Sequence, residues 1–331
     1  GTGCSFFDRC GIAQDRCRSA HPPLLELPAG EATRCYFHEK TASLTSISSS
    51  TMAAKVVANH DQPVLALQDV CLSYAKPSLL DQLLGRRPSV PHTVDGIEIR
   101  IGRGETLALV GESGSGKSTI LKAIAGLLSP VGGAIEFGED ETLEHDVDQR
   151  SPDHLRRIQL IFQNPDDSLN PRHTVAEILA QPLKLYFGLE GDALAQRTVA
   201  LLEQVRLGAH YLGRLPTQLS GGEKQRVAIA RAFAADPEVV LCDEVTSALD
   251  VSVRARILDL LAELQGQLQL SYLFISHDLS VVRAITDRVL VMQKGKIVEQ
   301  ATTEAIFTSP QSAYTQSLLE AAPKLSAAMG G

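Results

Sequence analysis

The chain contains no uninterrupted run of 18 or more apolar residues, so no segment has the length and uniformity of a bilayer-spanning helix. Its first residues also lack the apolar core of a secretory leader. There is no excess of positive charge. The 31 basic and 39 acidic residues leave a net charge of −8, which offers no general attraction to a phosphate backbone or an anionic surface, so nucleic acid is not an expected partner. Compositional bias is missing too. Hydrophobic residues at 44% and charged residues at 21% lie near the averages for folded globular proteins and argue against wholesale disorder, collagen-like repeats and coiled-coil rods. At 331 residues the chain has room for about two domains of ~150 residues each.

What is present is unevenly placed. Basic and acidic residues balance over residues 1–63, so the whole negative charge lies in residues 64–331. Four cysteines (Cys4, Cys10, Cys17 and Cys35) crowd the first 35 residues, whereas Cys71 and Cys242 stand alone inside apolar runs and are expected to be buried core thiols. Residues 41–63 are rich in Ser, Thr and Ala and have no sustained apolar period, which is linker composition. This places a Cys-rich segment at 1–40, a linker at 41–63, a main domain at 64–308 and a tail at 309–331. The chain enters its cysteine motif directly from Gly1, and we expect it to continue from an upstream segment.

From Val64 onward, short β-branched runs (VLALQDVCLSY, VDGIEIRI, TLALV) alternate with longer amphipathic stretches (STILKAIAGLL, TVAEILAQPLKLY, AQRTVALLEQV). The pattern predicts an α/β domain whose early strands are partly antiparallel. After TLALV comes Gly111-Glu112-Ser113-Gly114-Ser115-Gly116-Lys117-Ser118-Thr119 and then a predicted helix, a phosphate-loop pattern in its required strand–loop–helix context. The glycines let successive amides turn toward phosphate oxygens, the helix start adds its positive dipole end, Lys117 brings a point charge and Ser118 a ligand for Mg2+. Further on, the apolar strand Val239–Cys242 ends in Asp243 and Glu244. Asp243 suits the Mg2+ shell, and Glu244 can orient or deprotonate a water.

Between these elements lies Leu219-Ser220-Gly221-Gly222-Glu223-Lys224-Gln225-Arg226, followed by a predicted helix. Ser220 and Glu223 have the spacing of a capping box. The segment also resembles the signature motif of ABC-transporter ATPases. The resemblance implies a P-loop NTPase of ABC type, with a RecA-like α/β core, an antiparallel β subdomain and a helical subdomain carrying the signature. It further implies that Ser220, Gly221, Gly222 and Glu223 meet an ATP held by a second ABC ATPase domain, so each chain builds half of two sites. Gln163 in IFQNP resembles the Q-loop glutamine that senses Mg2+ and the attacking water, Asp250 in SALD the D-loop aspartate and His277 in FISHD the switch histidine. Tyr74 in LSY resembles the aromatic residue that stacks on adenine, and equally suits edge-strand packing. One departure is Val245, where the family most often has proline.

The segments QNPDDSLNP, TVAEILAQPL, SYLFISHDLSVVRAITDRVLVMQKGKIVEQ and SPQSAYTQSLLEAAP, with the insertion YAKPSLLDQLLGRRPSVPHTVDG, resemble the ATP-binding subunits of dipeptide and oligopeptide permeases. That resemblance implies an ATPase powering peptide import from the cytoplasmic face of the plasma membrane, working with two transmembrane permease subunits and an extracytoplasmic binding protein. Residues 164–184 are the expected contact with the membrane subunits. Nickel, opines or another small solute are alternative cargoes.

The spacing Cys4-x5-Cys10-x6-Cys17-x17-Cys35 belongs to a segment too short to bury a core, which calls for a metal or disulfide staple. A cytosolic setting argues against disulfides. Four thiolates can hold a 4Fe-4S cubane cluster or tetrahedral Zn2+, and the lack of paired C-x2-C knuckles favours iron–sulfur. The segment resembles the cysteine-containing extension that follows the ATPase core in oligopeptide permease subunits. By that resemblance residues 1–40 end a preceding ATPase domain of a tandem protein, which would be the partner; a separately encoded subunit is the alternative. A redox-sensing role for residues 1–40 is compatible with either. A DNA-repair ATPase of the superfamily would need a long coiled coil between Lys117 and Ser220, and a translation-associated one a basic linker; neither is present.

Overall fold

The computed structural model describes residues 4, 14–26, 32–37, 59–74, 91–138 and 141–321. The chain divides into two compact units, residues 1–54 and 55–331. In the first, helix α1 (Asp15–Ser19) precedes a short antiparallel pair, β1 (Leu25–Glu26) and β2 (Ala32–Thr33). The Arg16 guanidinium stacks 4.5 Å from the centre of the Tyr36 ring, and the Tyr36 hydroxyl donates to the carbonyl of His21 at 3.1 Å.

The second unit has two sheets. Strands β3 (Asn59–Leu72), β4 (Val94–Arg103), β6 (Gly132–Phe137) and β7 (Glu141–Thr142) form an antiparallel sheet in the order β4-β3-β6-β7. Strands β5 (Thr106–Val110), β8 (Ile158–Ile161), β9 (Val239–Asp243), β10 (Ser271–Ile275), β11 (Arg288–Gln293) and β12 (Lys296–Thr302) form the other, in the order β12-β11-β5-β10-β9-β8. Every pairing in it is parallel except β11 with β12. The α/β domain with antiparallel early strands expected from the sequence is thus present.

The parallel strands read as unbroken apolar runs because both faces are covered. Side chains alternate between those faces. Leu107 and Leu109 of β5, Leu241 of β9 and Leu273 and Ile275 of β10 pack with β3, β4 and β6. Val240, Cys242, Tyr272 and Phe274 point the other way, into a core with the helices between β8 and β10. Those helices are α4 (Val175–Phe187), α5 (Gly191–Gln204), α6 (Gly221–Phe233) and α7 (Val251–Leu268). Among the described residues no helix is long and apolar enough to cross a membrane.

Helix α2 (Lys117–Ile124) buries Thr119, Ile120, Leu121, Ala123 and Ile124 beneath the phosphate loop. Its far end is closed by Arg150, only 6% exposed, just before helix α3 (Pro152–Arg157). The Arg150 guanidinium donates to the carbonyls of Ile124 at 2.5 Å, Ala123 at 3.4 Å and Glu144 at 2.8 Å. Burial pulls its pKa down to about 10, so it stays a cation at neutral pH and complements the negative end of the α2 dipole. Truncating it leaves buried carbonyls without their donor. Arg150→Met is therefore expected to destabilise the fold by about 2 kcal/mol in chemical denaturation; a wild-type midpoint and slope would contradict this role for the residue.

Candidate functional site

The phosphate loop leaves β5 under a steric constraint. Gly111 has φ +145°, and a Cβ there would stand 2.1 Å from the carbonyl oxygen of Met292 on the neighbouring strand β11. Gly116, the N-cap of α2, has φ +108°, and a Cβ would meet Val94 Cγ2 at 2.8 Å. Only glycine fits either position. Having no side chain, Gly116 does not cap α2, so the first-turn amides of that helix are left to an anion. Ser113 and Gly114 are exposed at the loop tip, while Ser115 and Thr119 are buried. The Lys117 ammonium donates to the carbonyls of Gly111 at 2.9 Å and Glu112 at 2.7 Å and to Ser115 Oγ at 3.3 Å. Burial lowers its pKa, against the opposing pull of Glu244 and Asp243.

Three parallel strands deliver the other polar groups at their C-terminal ends, where ligands bind in open α/β sheets. At the end of β9, Asp243 Oδ1 accepts from Ser118 Oγ at 3.0 Å. Burial raises the Asp243 pKa, with the neighbouring Glu244 adding to the effect and the Ser118 hydrogen bond opposing it. The two oxygens fit Mg2+: adjacent ligands of an octahedral ion with bonds of 2.0–2.1 Å lie about 2.9 Å apart. A divalent cation would also relieve the cost of a buried carboxylate.

Glu244 follows with φ +46°, a left-handed conformation uncommon for a residue other than glycine. Its backbone is over-determined. Its N–H donates to Ile275 O at 3.1 Å, and its carbonyl accepts from Ser247 N and Ser247 Oγ, both at 3.0 Å. Its Oε2 accepts from Gln163 Nε2 at 3.0 Å and lies 3.2 Å from His277 Nδ1. Gln163 follows β8 and His277 follows β10, so residues from three strand ends converge on one carboxylate oxygen. Gln163 Nε2 also reaches Ser247 Oγ at 3.3 Å. Val245, the departure from the family pattern, is buried at 1% exposure.

The signature segment forms the start of α6. Ser220 is the N-cap of a complete capping box: Ser220 Oγ accepts from Glu223 N at 3.4 Å, and Glu223 Oε2 accepts from Ser220 N at 2.7 Å. The Tyr211 hydroxyl donates to Glu223 Oε1 at 2.5 Å. Gly222 has to be small because a Cβ would stand 2.6 Å from Val253 on α7, whereas Gly221 has ordinary clearance, 3.9 Å to Leu249. Asp250 caps α7 by accepting from Val253 N at 2.9 Å and Ser252 Oγ at 2.8 Å. Among the described residues no hydrogen bond or ion pair joins Ser220–Glu223 or Asp250 to the phosphate loop. The structure brings together Ser118, Gln163, Asp243, Glu244 and His277, and it keeps the signature apart from them.

Tyr74 is 56% exposed at the end of β3, and its hydroxyl reaches Thr119 Oγ1 at 3.4 Å. It therefore presents an open ring beside the phosphate-loop helix and does not pack as a buried edge-strand residue. Several supporting contacts carried no sequence signal. Lys224 Nζ pairs with Asp166 at 2.7 Å and Arg231 donates to Ser168 O, tying α6 to the segment after Gln163. Arg254 pairs with Asp278 at 2.6 Å beside His277. Glu112 N donates to the hydroxyl of Tyr314, on helix α10 (Ala313–Ala321), at 3.1 Å.

Of the cysteines predicted to bind a cluster, Cys10 lies outside the described residues. Cys4, Cys17 and Cys35 are free thiols. Cys4 N donates to Cys17 O at 2.7 Å, and Phe37 N donates to Cys35 Sγ at 3.4 Å. Among the described residues these three do not form a group of ligand atoms lying within 4.8 Å of one another. Cys242 is buried as expected, with its thiol pushed up by burial. Cys71 is not a core thiol: it is only half-buried, and its sulfur accepts from Gly96 N at 3.2 Å.

Comparison with known proteins places this geometry. The ABC transporter family model matches residues 94–247, and the model of the oligopeptide/dipeptide transporter C-terminal region matches residues 298–330. The dipeptide transport ATP-binding protein DppF of Haemophilus influenzae is 46% identical over 242 residues, 72% of this chain and 73% of that protein. The oligopeptide transport ATP-binding protein OppD of Mycobacterium tuberculosis is 39% identical over 97% of this chain, which spans 52% of that protein. Among solved structures, cbiO1 of Clostridium perfringens superposes with a TM-score of 0.63 at 26% identity, covering 75% of this chain and 92% of that one. A dimeric ATP-binding cassette in a post-hydrolysis state with ADP and phosphate gives 0.60 at 27% identity, covering 72% and 98%. With its glycine-constrained phosphate loop, its paired carboxylates and a relative of this identity and coverage, the chain belongs to the family of ABC-transporter ATP-binding proteins.

Proposed function

We propose that the chain binds and hydrolyses ATP to power an importer of dipeptides or oligopeptides from the cytoplasmic face of the membrane. The observation that carries the reading is the convergence of Gln163 and His277 on Glu244 Oε2, one residue beyond the Asp243–Ser118 pair. Residues 111–119 and the start of α2 take the phosphates, and the exposed ring of Tyr74 stacks on the adenine. Ser118 and Asp243, with Gln163, would hold Mg2+, which would neutralise phosphate charge when bound. Glu244 takes a proton from water as its oxygen attacks the terminal phosphorus and the bond to the ADP oxygen breaks. His277 orients that carboxylate and the terminal phosphate.

Separation of Ser220–Glu223 and Asp250 from the phosphate loop supports a site completed by a second ATPase domain. The match to the mycobacterial oligopeptide protein covers 97% of the chain and so reaches into residues 1–40. This supports reading that segment as the end of a preceding ATPase domain, with residues 41–63 as linker, 64–308 as the second ATPase domain and 309–331 as its tail. Residues 164–184 face two membrane subunits, which receive cargo from an extracytoplasmic binding protein. Peptide is favoured over nickel, opines or other solutes by the dipeptide and oligopeptide transport functions of the relatives and by the match at residues 298–330.

In the assembled complex, Glu244→Gln is expected to keep ATP affinity and to lower turnover at this site by about 10²- to 10⁴-fold; turnover at the wild-type rate would remove Glu244 from the role. The spacing of Cys4, Cys10, Cys17 and Cys35 supports a 4Fe-4S cluster, with Zn2+ the alternative. Anaerobically purified protein is expected to carry about four irons with matching sulfide per chain; stoichiometric zinc, or no metal, would refute the cluster. The signature helix gives a pH test. The Tyr211 hydroxyl, with the Ser220 N–H and hydroxyl, holds the Glu223 pKa below its ordinary 4.5. Stabilisation by a lowered carboxylate pKa is fully present above the unfolded value and is lost as pH falls through the folded one. Tyr211→Phe should therefore be less stable than wild type at pH 7, with the gap narrowing in acid unfolding below pH ~4.5; a gap that is the same at every pH would disprove the coupling.

A further inference from the structure

Cys71, His92 and Asp95 lie outside the machinery described above, and the three offer ligand atoms all within 4.8 Å of one another. Among the described residues they are the one such group. The backbone explains how a residue in an apolar run comes to face outward. Strand β3 carries register shifts on both sides of Val70 in its pairing with β4, and Asp69 has φ +49°. Such irregularities re-aim a side chain. Cys71 therefore points toward the start of β4, where Gly96 N–H donates to its sulfur at 3.2 Å and Asp95 and His92 stand nearby.

We propose that Cys71, His92 and Asp95 form a three-ligand site for a thiophilic divalent cation of the zinc type. One sulfur, one imidazole nitrogen and one carboxylate oxygen are the donor set of such an ion, and three protein ligands with an open fourth position suit its tetrahedral preference. At bond lengths of 2.0–2.3 Å, tetrahedral ligand atoms lie roughly 3.3–3.7 Å apart, so closure requires shifts of about 1 Å, within side-chain rotation. The outer contacts are already arranged. Asp95 divides its oxygens: Oδ2 pairs with Lys296 Nζ at 3.1 Å, leaving Oδ1 3.2 Å from His92 Nδ1. Lys296 thereby orients the carboxylate without occupying the ligating oxygen, and the Gly96 amide fixes the position of the Cys71 sulfur. His92 and Asp95 are 36% and 46% exposed, which gives an ion a path from solvent.

The position is informative. Asp95 N donates to Gly295 O at 3.0 Å and Gly295 N to Ser115 O at 3.1 Å, so the ligand-bearing segment is two hydrogen bonds from the phosphate loop. Tyr74 follows Cys71 by three residues.

The test is titration of the metal-stripped full chain with Zn2+ alone, by calorimetry, with Co2+ as an optical probe of thiolate ligation. Wild type is expected to bind one equivalent that Cys71→Ser and His92→Gln lose or bind on the order of 10- to 100-fold more weakly. Both variants should retain wild-type ATP affinity, which separates loss of the site from loss of the fold. That equivalent should survive joint replacement of Cys4, Cys10, Cys17 and Cys35 by Ser. Equal stoichiometry and affinity in wild type, Cys71→Ser and His92→Gln would overturn the proposal, as would disappearance of the equivalent only when the four N-terminal cysteines are replaced.

Discussion

The approach of the phosphate loop to strand β11 is the constraint on which the rest of the architecture depends. With Gly111 pressed against the Met292 carbonyl, the loop is forced to turn sharply off β5 and to launch α2 from Gly116 without a capping side chain. The helix is then anchored at both ends, by the Lys117 ammonium holding the loop carbonyls and by Arg150 holding the carbonyls of the last turn. Position along the sheet follows from this. Ser118 can meet Asp243 only because α2 starts level with the end of β9, and the parallel register of β8, β9 and β10 sets Gln163, Glu244 and His277 at one height.

Much of this was legible in the sequence because it is local. A strand, a glycine-rich turn and a helix in immediate succession constrain one another, as do a capping Ser and a Glu three residues on, and both pairings stand in the structure. Tyr211, Tyr314, Arg150 and Lys224 were not legible. Each acts on a partner distant in the chain or through geometry a residue list does not carry: Tyr314 reaches Glu112 across 202 positions, and Lys224 reaches Asp166 across 58. Cys71 shows the same limit from the other side. Its apolar neighbours imply a core position, but irregular pairing around Val70 overrides the alternation and turns the thiol outward. The strain at Glu244 had no signal either, since nothing in the residue type announces a positive φ there.

Glu244 and Asp243 also show how adjacent carboxylates are kept distinct. Asp243 ends a buried strand and is raised by desolvation, whereas Glu244 leaves the strand through a left-handed turn that swings its carboxylate to Gln163 and His277. One position suits a cation and the other a water, and the backbone reversal between them keeps the two from competing for one ligand.

The capping box at the start of α6 has a consequence for association. Ser220 and Glu223 are already locked to each other, Tyr211 braces the carboxylate, and Val253 packs closely over Gly222. The conformational entropy of this segment is thus spent when the single chain folds. On the proposed reading, a phosphate presented by another domain would meet a surface that is rigid before contact, so little ordering cost would be subtracted from the affinity and the two halves could part again after each cycle without unfolding what joined them.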